Sequence, residues 1–179
     1  DAFLQAVGGE KKFVEVSGPY FEKMQSFYGL IDNCTCAIIE MASSAGLPLV
    51  EGNKNPTKTT TYGVGELIRH AIDNGVKKII VGLGGSSTND GGTGCAAALG
   101  VKFINQQGQS FIPVGGTLSK IKQIDLSSRY QGLKEIDLIT MCDIDNPLYG
   151  KEGAAYVFGP QKGANPKTVE FLDQNLKNL

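Results

Sequence analysis

Residues 78–99 read KIIVGLGGSSTNDGGTGCAAAL, and the order of residue types within them decides the fold. Residues 78–83 form a short apolar run of strand type. The run feeds a segment of glycine, serine, threonine, asparagine and aspartate, after which residues 94–99 turn helical in character. Just upstream, Val64, Leu67, Ile68, Ala71 and Ile72 recur at the spacing of one apolar helix face, which predicts a helix over 59–74. Thr59, Thr60 or Thr61 can cap its start, and Gly75 ends it. Helix, buried strand, glycine loop, helix is the α/β pattern. In open α/β sheets ligands bind outside the carboxyl ends of the strands, which is where this loop falls.

Towards the N-terminus, residues 11–17, 21–28 and 34–40 read as three strands separated by close turns, the first marked by Gly18-Pro19. That spacing predicts an antiparallel meander. Residues 1–7 read as the end of a helix closed by Gly8-Gly9, residues 41–47 as a helical turn, and residues 51–58, with Pro56, as a loop. Towards the C-terminus, strands are expected at 101–104 and, buried, at 136–141, with a helix from 167 onward. Residues 115–132 read as a loop. The fold class is therefore α/β: a mixed sheet with an antiparallel N-terminal meander, flanked by helices.

The 179 residues suffice for one domain with its own core. With 41% hydrophobic and 20% charged residues the chain is globular in composition. Its formal net charge of -1, with no basic run, speaks against a nucleic-acid partner. Nothing approaches the length of a membrane span, and no amphipathic basic segment suggests a membrane surface. The N-terminus lacks the charged and apolar regions of a signal peptide. It also lacks a start methionine, so the chain is expected to begin inside a longer protein or to have been processed. Cys34 and Cys36 are too close for an ordinary disulfide, while Cys95 and Cys142 lie in apolar segments. This usage fits a reduced, cytoplasmic protein.

Three segments carry candidate chemistry. The first holds Gly84, Gly85, Ser86, Ser87, Thr88, Asn89, Asp90, Gly91 and Gly92. Clustered glycines let backbone N–H groups converge on an anion, and the following helix start adds a favourable dipole. The serines, Thr88 and Asn89 offer side-chain donors. Asp90, the one anion, suits proton acceptance from a hydroxyl or contact with Mg²⁺. The loop has no lysine, so it is not the GxxxxGK[ST] phosphate loop. The second segment is Cys142-Asp143-Ile144-Asp145-Asn146-Pro147-Leu148, just past a strand. Asp143 or Asn146 could contact substrate or metal there, or simply cap a turn. In the third, Phe158-Gly159-Pro160-Gln161-Lys162-Gly163-Ala164, Lys162 could reach a phosphate or carboxylate, or lie in an ordinary surface turn. His70, the only histidine, has no evident partner, and Cys34-x-Cys36 lacks a second ligand pair, so neither a Ser-His-Asp apparatus nor zinc is indicated. No metal-ligand set is assigned.

Taken together these segments resemble the glycerate kinase type-1 family. Ile38-Ile39-Glu40-Met41-Ala42 with Gly46-Leu47 is similar to the family's IEMA-x-x-GL stretch. Asn55-Pro56, Thr59-Thr60 and Gly63-Val64-Gly65-Glu66-Leu67-Ile68 resemble its P-x-x-TT-x-G-x-GELI stretch. Residues 84–92 resemble its GGSATNDGG loop, with Ser87 in place of alanine, and the second and third segments resemble its CDVxNPL and FGPQKGA motifs. The resemblance runs over nearly the whole chain in the family's order. It implies a kinase of two α/β domains with the active site between them, using ATP and Mg²⁺ to phosphorylate D-glycerate, with 2-phosphoglycerate favoured over 3-phosphoglycerate as the product. Residues 1–179 would be the central domain, without the N- and C-terminal portions that build the other, and inactive alone. The alternatives are another small-acid kinase and a non-catalytic sugar-acid sensing module.

Overall fold

The structure, a computed structural model, describes Leu4 and residues 8–179. The helix expected over 1–7 otherwise lies outside the described residues. At its expected end the Leu4 carbonyl accepts the N–H groups of Gly8 and Gly9, each at 3.0 Å.

The main sheet has five strands: β1 (Glu10–Ser17), β2 (Lys23–Ile31), β3 (Cys36–Glu40), β4 (Lys78–Gly82) and β8 (Asp137–Met141), in the order β1-β2-β3-β4-β8. The first three form the antiparallel meander, and β3–β4 and β4–β8 are parallel pairs. The sheet is therefore mixed, as the sequence predicts. The second strand starts two residues later than expected and runs to Ile31. The reason is local: Phe21 takes φ 66° in the turn, where no strand can run, and the Gly18 N–H donates to the Glu22 carbonyl at 2.7 Å.

Beyond Leu4, five α-helices among the described residues accompany the strands: α1 (Ala42–Ala45), α2 (Tyr62–Asp73), α3 (Thr93–Ala98), α4 (Ala154–Phe158) and α5 (Pro166–Lys177). The apolar face of α2 covers the sheet, placing Val64, Leu67, Ile68 and Ala71 against Val16, Tyr28, Ile39 and Ile79. A second core joins α4 and α5 to a 3₁₀ turn at Gly115–Lys120 through Leu118, Ala155, Leu172 and Leu176. The strand expected at 101–104 does form, as β5 (Lys102–Ile104). It belongs to a separate antiparallel sheet with β6 (Ser110–Phe111) and β7 (Gln123–Asp125), the last a correction to the loop expected over 115–132, since pairing with β5 holds those residues extended. None of the described helices is long and apolar enough to cross a membrane.

β8 departs from expectation. Its sequence, apolar on both faces, reads as buried, yet β8 is an edge strand with Ile139 43% and Met141 58% exposed. Only β4 pairs with it, and no described helix covers it.

Gly75 ends α2 with φ 87°, and a β-carbon there would meet nothing within 4 Å. Gly75→Ala should thus add backbone strain without a clash, costing about 1–2 kcal/mol. Thermal melts and kinetics of the full-length variant should show a melting point lower by a few degrees and unchanged KM values. Gly75 lies at the opposite end of α2 from Thr61, about 18 Å along the helix.

Candidate active site

Because β4 and β8 are parallel neighbours, with Gly82 opposite Met141, the segments that follow them leave the sheet at the same end. The chain after β3 joins them there, its Met41 N–H donating to the Gly82 carbonyl at 2.8 Å. The third segment reaches the same place through α4 and a 3₁₀ turn at Pro160–Lys162. One cleft of about 540 Å³ results, and all three predicted segments line it. Gly84, Gly85, Ser86, Thr88, Asn89, Asp90, Gly91, Gly92, Asp143 and Lys162 face it.

Two predicted site residues do not. Ser87 is turned away and buried. Its hydroxyl donates to the Ala45 carbonyl at 2.9 Å, its N–H donates to the same oxygen, and its carbonyl accepts from Thr59 Oγ1. A buried hydroxyl needs such a partner, and Ala45 supplies it. Asn146 holds its own turn, donating from Nδ2 to the Glu152 carbonyl at 2.9 Å, so the turn-capping alternative describes it.

Asp90 is 1% exposed and sits between the N-terminal ends of α2 and α3. Its Oδ2 accepts from the Thr61 N–H and Oγ1 at 2.8 Å each and from the Gly94 N–H at 3.3 Å. Oδ1 accepts from the Gly92 N–H at 3.1 Å. Burial pushes its carboxyl above the usual range, while these hydrogen bonds pull it down. The Thr61 hydroxyl itself accepts from the Cys95 N–H at 2.8 Å, which commits its proton to Asp90. Every neighbour therefore donates, and the geometry serves the ionised carboxylate. Sequence reasoning made Asp90 a base or metal contact; in the fold, four donors already meet its carboxylate. Asp143 is the open carboxylate, exposed on the cleft wall with no hydrogen bond or ion pair to any described residue.

Lys162 is not in a surface turn. It is buried, and its Nζ crosses to the glycine loop, 2.9 Å from Ser86 Oγ and 2.5 Å from the Thr88 carbonyl. Burial lowers its pKa to about 8, opposed by the nearby charge of Asp90. Burial likewise pushes the Cys95 thiol up to about 12, which leaves it unreactive.

Thr61, which lines the cleft, was read from the sequence only as a helix cap. It stands at the cap position but makes no capping bond with its side chain. The available signal was the run of three threonines: a cap needs one hydroxyl, and here Thr59 and Thr61 both reach the glycine loop.

The profile of one family, described as the glycerate kinase family, matches residues 1–179, the whole chain. The chain belongs to the glycerate kinase family. Among curated relatives, it is 49% identical over 179 residues to a glycerate kinase of Bacillus cereus and 41% identical over 179 residues to the glycerate 2-kinase of Escherichia coli K12. Each match covers 99% of this chain and 47% of the relative. A crystal structure from Salmonella typhimurium LT2, described as glycerate kinase 2, superposes with a TM-score of 0.93 at 46% identity. That match covers 98% of this chain and 47% of the other. The chain thus spans about half the length of the glycerate kinases it matches.

Proposed function

We propose that the full-length protein is a cytoplasmic, ATP-dependent kinase that phosphorylates D-glycerate to 2-phosphoglycerate, and that residues 1–179 form the central domain and one wall of its active site. The observation that carries this reading is the convergence of three separate family motifs on one cleft at the carboxyl ends of β4 and β8. The bare apolar strand β8, beside that cleft, supports a further domain packing there, since single domains rarely leave such surface uncovered.

Phosphoryl transfer of this kind depends on positioning and on neutralising charge. The glycine loop, stiffened from behind by Asp90, Ser87 and the threonines, presents Ser86, Thr88 and Asn89 to the cleft. A glycerate hydroxyl oxygen forms the new bond to the γ-phosphorus, the bond to the ADP oxygen breaks, and the hydroxyl proton needs an acceptor. In this reading Asp143, exposed on the cleft, takes that proton or contacts a cation. Among the described residues no group of three or more potential ligands is set to hold a metal. A single open carboxylate fits Mg²⁺ held mainly through ATP phosphates, where the ion would offset their charge.

The test uses the full-length protein with ATP and D-glycerate, the product being assigned by phosphorus NMR, beside the isolated 1–179 chain. Turnover to 2-phosphoglycerate by the full-length protein and none by 1–179 is the expected result. Robust turnover by 1–179 would refute the single-wall reading. Glycerate binding without ATP consumption would make the protein a sensor, and preference for a different acid would make it another small-acid kinase.

A further inference from the structure

Two donors on the cleft wall stand without the acceptors they need. Lys162 is 8% exposed, and its ammonium gives two of its three N–H bonds to Ser86 Oγ and the Thr88 carbonyl. No carboxylate pairs with it among the described residues. Asn89, next to Thr88 in the chain, is 6% exposed, and its Nδ2 is buried with no hydrogen-bond partner. Apart from the Ser44 hydroxyl, it is the one such buried side-chain atom among the described residues. A buried ammonium with no direct ion pair, offset only by the nearby charge of Asp90, and an unpaired buried amide are both unfavourable, and a fold keeps two such donors on one cleft when a ligand completes them.

We propose that Lys162 and Asn89 form a subsite for the carboxylate of the acceptor, so that the cleft selects a small hydroxy acid over a neutral polyol. This deepens the kinase reading and rests on it. A carboxylate brings one negative charge and two acceptor oxygens, matching one ammonium and one amide. A nucleotide triphosphate brings several charges, and among the described residues Lys162 is the only cationic side chain lining the cleft. The two donors are buried, whereas Asp143 is exposed on the wall. An acid anchored by these two donors leaves its hydroxyls in the cleft that Asp143 also lines.

The experiment uses the full-length enzyme and its Lys162→Met and Asn89→Leu variants, with D-glycerate and with glyceramide, which is of similar size but uncharged. Both variants should raise KM for D-glycerate by about 10- to 100-fold, the worth of a charge-assisted hydrogen bond, and leave KM for ATP unchanged. D-glycerate, but not glyceramide, should raise the melting temperature of the wild type, and this rise should vanish in both variants. Asn89→Leu should melt at or above the wild-type temperature without ligand, because it removes a buried donor that has no acceptor. A purely structural asparagine would give the reverse, a lower melting point with an unchanged KM, and that result overturns the assignment. So does a rise in KM for ATP in place of glycerate, which would make the pair a phosphate site. A wild type that binds glycerate over glyceramide but transfers no phosphoryl group would sink the kinase reading and leave the subsite standing. A wild type that turns over glycerate, with both variants unaffected, would sink the subsite alone.

Discussion

Asp90→Asn in the full-length enzyme should lower both stability and activity, with the loss of stability about 2–4 kcal/mol. All four groups around the carboxylate donate: the Thr61 N–H and hydroxyl, the Gly92 N–H and the Gly94 N–H. An asparagine has one acceptor oxygen. If that oxygen faces Thr61 and Gly94, the amide NH₂ points at the Gly92 N–H, donor against donor. The flipped amide faces three donors instead. The substitution also removes a negative charge from beside the N-terminus of α2, where the helix dipole favours one. Because the same carboxylate shapes the loop that forms the cleft wall, kcat/KM should fall with the melting temperature. Thermal melts and steady-state kinetics on one preparation decide it. A variant that loses activity with an unchanged melting point would return Asp90 to the role of reacting base.

Asp143→Asn should behave in the opposite way, with kcat lower by about 10²–10⁴-fold, the usual size of a lost proton acceptor. Stability should stay within about 0.5 kcal/mol, as for surface substitutions away from packed features. Asp143 is exposed and holds no other described residue, so its removal leaves the fold alone. If the loss appears in the Mg²⁺ and ATP dependence rather than in kcat at saturation, Asp143 contacts the cation. Wild-type kinetics would make it an ordinary turn residue, and the chemistry would then belong to groups outside this chain. Measured together, the two aspartates separate a carboxylate that builds the site from one that works in it.

The sequence by itself determined what is local. The apolar run at 78–83, the α2 periodicity, and the glycines at 75 and 82–94 placed strand, loop and helix nearly as they stand, because rise, period and turn chemistry depend on neighbours a few residues apart. The three motif segments, and with them Lys162 and Asp143, were equally legible as residue types that suit anions and protons. What tertiary structure alone decided is which way those side chains face and what meets them. Ser87 turns to Ala45, and Asp90 is filled by Thr61, 29 positions away. Lys162 finds Ser86 across 76 positions and becomes buried in doing so. β8, apolar on both faces, stands bare at a sheet edge because exposure depends on what packs against a strand, and its composition carries no record of that. A carboxylate's sequence position announces that it can accept hydrogen bonds; only the fold, which brings distant donors within 3 Å or leaves them away, decides whether that capacity is kept for the scaffold or offered to a ligand.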